Sequence, residues 1–310
     1  MSQKRQLFGK NLPVKVLGFG TSFLVSFLML IPVAQAISVK HQGSTCESID
    51  RTPGWNAREN AKKGDINWNV NGPDKYSRSV SGWFDKVSLS CGETVGLHLS
   101  GNGRDVTLKI YRMGYYNGAL ARLISTQVIH NVERESPAIT TPAPDKTTHT
   151  TWPVSKTITI GPDFVMSWQA YNTWGGYSLY HGPNAKIYDP GRIVSFDRPY
   201  DRAGESNFTV NEAGIIQAAE SMGLDLAYTT DNDLDANKTR ITRSKTIVFG
   251  GHSEYWSTNM QNAIYSARDM GVNILFFGGN QAYWRTRLEK KGRSLSAWKS
   301  DPLDPYKIPN

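Results

Sequence analysis

Residues 246–277 set the tightest limit on what this chain can fold into. Thr246–Phe249 reads as a strand. Ser257 then caps a helix that carries Met260, Ala263, Ile264, Ala267 and Met270 on one face, and Gly271 ends it. Val272–Phe277 follows as an unbroken apolar run. Strand, helix and strand at this spacing make a βαβ unit. A continuous apolar strand is what a parallel sheet covered on both faces requires. Upstream, Thr209-Val210-Asn211-Glu212 has the form of a capping box. It is expected to open a helix carrying Ala213, Ile216 and Ala219, with Gly223 closing it and Leu224–Tyr228 forming a further strand. Residues 164–310 are therefore expected to be an α/β domain built on a parallel sheet.

The first half has a different period. Val106, Leu108 and Ile110 alternate with Thr107, Lys109 and Tyr111, the pattern of a half-buried strand. Trp83–Leu89, Thr94–Leu99 and Thr157–Ile160 read as further short strands, and Gly101-Asn102-Gly103 as a turn. Short strands with glycine-rich turns and no helical period point to a β-sandwich over residues 37–163. Glu135–Thr150, rich in Pro and Thr, reads as a loop. At 310 residues and 39% hydrophobic, the chain can fill the cores of one large or two ordinary domains.

Residues 1–36 are expected to be a signal peptide. Lys4, Arg5, Lys10 and Lys15 form a basic head, an apolar run spans residues 16–33, and Ala34-Gln35-Ala36 supplies a cleavage site. The alternative is an uncleaved anchor, since the run approaches the ~18 residues needed to cross a bilayer. The expected location is secreted, periplasmic or cell-envelope, with membrane contact only through an uncleaved leader. In an oxidising compartment Cys46 and Cys91 most simply form one disulfide. The net charge of +8 falls once the four basic leader residues are set aside, and the rest is scattered rather than gathered in a stripe, which argues against a nucleic-acid partner.

In an open α/β sheet, ligands bind beyond the carboxyl ends of the strands. Beyond Leu224–Tyr228 lie Asp231 and Asp233. Beyond Thr246–Phe249 lie His252, Ser253, Glu254, Tyr255 and Trp256, and beyond Val272–Phe277 lie Asn280, Tyr283, Trp284 and Arg285. His252 and Glu254 are candidate bases, although each has a structural alternative as a backbone-bonded ring or a solvated carboxylate. A cysteine nucleophile is ruled out for residues 164–310, which contain no cysteine.

The string Ser167-Trp168-Gln169-Ala170-Tyr171-Asn172-Thr173-Trp174-Gly175-Gly176-Tyr177-Ser178-Leu179-Tyr180, taken with Gly251-His252-Ser253-Glu254-Tyr255-Trp256 and Gly278-Gly279-Asn280-Gln281-Ala282-Tyr283-Trp284-Arg285, resembles the large (β) subunit of N,N-dimethylformamidase and its exported relatives. Ile110–Gly118 is similar to the β-domain that precedes the catalytic-type domain in that family. The resemblance implies a class I glutamine amidotransferase-like fold for the second domain. It also implies hydrolysis of a small amide with a mononuclear iron held by two tyrosines and one glutamate, hard oxygen donors that suit Fe(III). On the strand-end motifs the expected metal ligands are Tyr255 and Tyr283, with Tyr228 as a third candidate. His252, Glu254 and Asn280 are the expected catalytic groups, and Trp168, Tyr171, Asn172, Trp174, Asp231 and Arg285 the expected substrate contacts. Against the family pattern the interval Gly161–Trp168 reads as shortened and the chain as truncated at its end, so the third iron ligand, which the resemblance places beyond the Asn280–Arg285 motif, is expected to be missing from this chain. The rival readings are an exported binding protein whose aromatic string (Trp168, Tyr171, Trp174, Tyr177, Tyr180) holds a glycan or envelope component, and an inactive truncated relative of the family. Oligomeric state is left open.

Overall fold

The computed structural model describes residues 52–69, 79–90, 92–159, 168–185, 189–201, 208–237, 241–299 and 302–305. The leader, Cys46, Cys91 and the interval 160–167 lie outside the described residues. Among those described, no helix is long and apolar enough to cross a membrane.

A short helix α1 (Trp55–Asn60) opens the described chain. Strands β1 (Ser81–Phe84), β2 (Thr94–Ser100), β3 (Arg104–Met113) and β4 (Ala121–Val132) follow. A two-residue ladder, β5 (Ile139–Thr140) with β6 (Thr148–His149), closes the Pro/Thr loop, and β7 (Lys156–Thr159) ends this half. β2 is central in an antiparallel sheet ordered β1-β2-β7, and β3 and β4 form a separate long hairpin. Val95, Leu97, Leu99 and Ile158 from the sheet bury against Ile129 and Val132 of the hairpin, with Val106, Leu108 and Ile110 packed alongside. The alternation read at 106–111 therefore faces the core as expected. The long partner strand β4 had no comparably clean pattern.

The second half begins with β8 (Ile193–Ser195) and α2 (Ala213–Ser221). The expected capping box is not what starts α2. A π-helical turn, Phe208–Glu212, leads into it, and no side chain caps its first turn. Leu224–Tyr228 is not a strand. Its polar groups are taken by the first half instead: Asn56 Nδ2 donates to Leu224 O at 2.7 Å, and Gly54 N donates to Asp225 Oδ2 at 2.6 Å. A short helix α3 (Asp231–Asp235) is capped by Thr230, whose hydroxyl accepts from Asp233 N.

The βαβ unit stands as read. β9 (Thr246–Phe249) and β11 (Asn273–Phe276) pair in parallel, joined through β10 (Tyr255–Trp256) and α4 (Thr258–Asp269). Ser257 caps α4 by accepting from Met260 N at 3.1 Å. Met260, Ile264 and Ala267 bury against Ile247, Phe249 and Ile274. Met270 lies past the last turn and is 69% exposed, so the apolar face ends one turn earlier than expected. The sheet is covered by α4 on one face only: Val248 and Leu275 on the other are 45% and 44% exposed, and double cover is not seen among the described residues. β12 (Trp284–Arg285) pairs in parallel with β10, and β13 (Arg287–Glu289) and β14 (Ser294–Ser296) join β8 in an antiparallel sheet.

Candidate functional site

The two strand-end motifs are fastened side by side. Ala282 N donates to Ser253 O, Trp284 N to Glu254 O and Thr286 N to Trp256 O, each at 2.9 Å. Gln281 Nε2 donates to Gly251 O at 3.0 Å. Only glycine allows this approach at 278, because a Cβ there would lie 1.3 Å from the Gly251 carbonyl oxygen. The resulting crevice, about 370 Å³, is lined by Asn211, Gly214, Ile215, Gly251, His252, Phe277 and the glycines 278 and 279.

Glu254, whose Oε2 lies 3.2 Å from Nε2 of the crevice-lining His252, is 5% exposed. One carboxylate oxygen, Oε2, gathers three partners. The Tyr171 and Tyr180 hydroxyls both donate to it through short hydrogen bonds, and His252 Nε2 lies 3.2 Å away. The two phenol rings stack with centroids 5.0 Å apart, and Tyr255 meets both edge-on. Tyr255 is 8% exposed, and its buried hydroxyl makes no hydrogen bond of good geometry. Burial, then the hydrogen bond to Glu254, pushes the Tyr180 hydroxyl up to about 12. The same two causes raise Tyr171 further, and burial followed by the neighbouring Tyr180 raises Tyr255.

Lys299 closes the far side. Its ammonium lies 3.5 Å above the Tyr180 ring and 5.5 and 5.3 Å from the Tyr255 and Trp284 rings, and it donates to Leu179 O at 2.8 Å. Burial lowers it to about 8, partly offset by the charge of Glu254. Its backbone is held at φ 43°, a conformation a lysine rarely adopts. No local pattern around Lys299 signals this position in the sequence.

Of the residues expected at a site, the structure brings together His252, Glu254, Tyr255 and Tyr171. Trp168 packs against Tyr171, with ring centroids 5.9 Å apart, and the others lie elsewhere. Tyr283 is 62% exposed and packs on Trp284. Tyr228 donates to Glu220 at 2.7 Å, in a separate network. Asn280, at φ 54°, and Arg285 are exposed. Trp168 and Asn172 are buried at 9% and 0%, Trp174 packs edge-on against Trp152, and Asp231 starts α3. Ser253 Oγ accepts from Trp256 Nε1 at 2.8 Å, which ties it to packing. Tyr180, which the sequence offered only as part of an aromatic string, is one of the two tyrosines that reach Glu254.

Among the described residues no cluster of three or more His, Cys, Asp or Glu forms. The oxygen donors that do converge are two phenols and a carboxylate, with a third, unpartnered phenol beside them. A buried all-oxygen set of this kind fits a hard cation such as ferric iron. Comparison with curated proteins finds no match. Residues 164–309 match the family described as N,N-dimethylformamidase beta subunit-like, C-terminal, which supports the resemblance read from the sequence motifs.

Proposed function

We propose that this chain is an exported amide hydrolase-like protein that cleaves a C–N bond, with Tyr171, Tyr180 and Glu254 as the residues that would hold a mononuclear iron. The observation that carries the reading is the meeting of the two tyrosine hydroxyls on one oxygen of Glu254, inside the family-matched half. Bound there, ferric iron would polarise an amide carbonyl and make water more acidic. The chain's own residues supply the rest. When His252 donates from Nε2 to Glu254, its Nδ1 is the basic nitrogen, suited to take a proton from water and return it to the leaving amine. His252 also lines the crevice, so the proton carrier faces the route by which a small ligand arrives. Tyr255 and Lys299 wall the site with apolar ring faces and one positive charge, which exclude bulk water and strengthen the electrostatics within.

The parallel β9–β11 pair with its crossover supports a class I glutamine amidotransferase-like arrangement. The shared core of the β1-β2-β7 sheet and the β3–β4 hairpin supports a sandwich-like first domain. The basic head, apolar run and Ala34-Gln35-Ala36 support export. The glycan-binding reading loses ground, because Trp168 and Trp174 pack inward and Tyr171 and Tyr180 turn to Glu254. The test is amine release from small N-alkyl amides by the iron-loaded protein. Activity that Glu254→Gln abolishes supports the reading; activity that survives in Glu254→Gln contradicts it.

A further inference from the structure

We infer that Arg198 is the residue that positions the two site tyrosines, an inference that rests on the reading of Tyr171, Tyr180 and Glu254 as the working centre. Arg198 is 0% exposed. A guanidinium carries five N–H donors in a rigid planar fork, and here all of them go to one stretch of chain. Nε donates to Gln169 Oε1 at 3.1 Å. Nη2 donates to the carbonyl oxygens of Gln169 and Asn172 at 3.2 and 2.9 Å, which brackets Tyr171 from both sides. Nη1 donates to the carbonyl oxygens of Trp174 and Tyr177 at 3.2 and 2.6 Å, which fixes the turn leading to Tyr180.

The loop needs such a template. Residues 168–185 contain no strand, only two short 3₁₀ turns, so many of their carbonyls lack ladder partners. Neighbours of Arg198 complete the mould. Asn172 Nδ2 donates to Pro199 O at 2.8 Å, and the Asp201 carboxylate accepts from Thr173 N at 3.1 Å and from the Thr173 hydroxyl. All five acceptors of Arg198 are neutral amide oxygens. A buried cation without a hydrogen-bonded carboxylate is an expensive way to gain stability, and an apolar residue would fill the space more cheaply. What the fork provides is geometry: it presets Tyr171 and Tyr180 before any ligand arrives. Lysine keeps the charge but, with one nitrogen, cannot span the same four carbonyls.

The test uses the full chain labelled with fluorotyrosine, with the Tyr171 and Tyr180 resonances assigned from Tyr171→Phe and Tyr180→Phe. In Arg198→Lys both resonances are expected to shift or broaden while Tyr265, exposed on α4, stays in place. The phenolate-to-iron absorption band of the iron-loaded protein is expected to shift or vanish. Unchanged Tyr171 and Tyr180 resonances overturn the inference, and so does an equal shift of every tyrosine, which would mark a general loosening. If Arg198→Lys does not melt cooperatively, Gln169→Met, which removes the side-chain acceptor of Arg198 Nε and keeps the guanidinium, is read against the same criteria. If the unmutated chain takes up no iron, the metal assignment fails, yet the fluorine spectra still decide the role of Arg198.

Discussion

Among the described residues two glutamates, Glu220 and Glu254, are buried, and they are met in opposite ways. Glu220, with a side chain 0% exposed, receives both terminal nitrogens of Arg112 at 2.8 Å, Asn60 Nδ2 at 2.8 Å and Tyr228 Oη at 2.7 Å. Its charge is cancelled by a bidentate partner, and the cluster fastens α1, the β3–β4 hairpin and α2 together. Glu254, at 5% exposed, receives two neutral phenols and a histidine. The nearest ammonium, on Lys299, lies against the tyrosine rings and bonds to a carbonyl instead. A buried carboxylate that is fully paired is a fastening. One met only by neutral phenols and a histidine is, on the reading proposed above, a place that would hold a cation.

The sharpest way to break this comparison is to remove the partner of Glu220. Arg112→Met strands a buried charge and is expected to cost about 3–5 kcal/mol, measured by chemical denaturation. A loss below about 1 kcal/mol would mean that Glu220 does not depend on its cation, and the contrast would dissolve.

A second pair of acids extends the comparison to carboxylates with no donor strong enough to hold their charge. Burial, with the neighbouring Asp231 second, raises Glu212 from 4.5 to about 7, and burial raises Asp231 from 3.8 to about 6. Both folded values lie above the unfolded ones, so folding favours the protonated forms. Their contribution is complete below about pH 4 and is lost as pH rises through 6 to 7. Each group is expected to account for on the order of 3 kcal/mol of that loss. Glu212→Gln and Asp231→Asn should flatten the stability curve across this range. A curve that keeps its slope in the double variant would show that other groups govern it.

The smallest expected effect is the most telling. Glu254→Gln exchanges a buried charge with no bidentate cation for a neutral amide that can still accept from one or both phenols, so stability should change by no more than about 1 kcal/mol, in either direction. A loss as large as that of Arg112→Met would make Glu254 a second fastening.

Legibility in the sequence divides along the same line. Apolar period gave away α4, β9 and β11, because Met260, Ile264 and Ala267 recur at helical spacing and bury as that spacing demands. The alternation of Val106, Leu108 and Ile110 gave away β3 for the same reason. What failed were segments decided by polar partners far along the chain. Leu224–Tyr228 has the composition of a strand, yet its backbone and Asp225 are claimed by Gly54 and Asn56, roughly 170 residues earlier. Thr209–Glu212 has the spacing of a capping box, yet a π turn takes its place. At the site, the motifs pointed to Glu254, His252 and Tyr255, which share one short string. Tyr171 and Tyr180 reach Glu254 across 83 and 74 residues, a contact that no local spacing encodes. Tyr283, adjacent to a motif tryptophan, looked equivalent to Tyr255 but falls on the outward side of the loop.

The central claim is that Glu254, Tyr171 and Tyr180 form a cation site. Titrating iron(III) into the purified full chain, followed by visible absorption and metal analysis, tests it most directly. The account predicts about one iron per chain and a phenolate charge-transfer band that is lost in Tyr171→Phe, Tyr180→Phe and Glu254→Gln. A protein that melts cooperatively but binds no iron, or a band that survives all three substitutions, would contradict it.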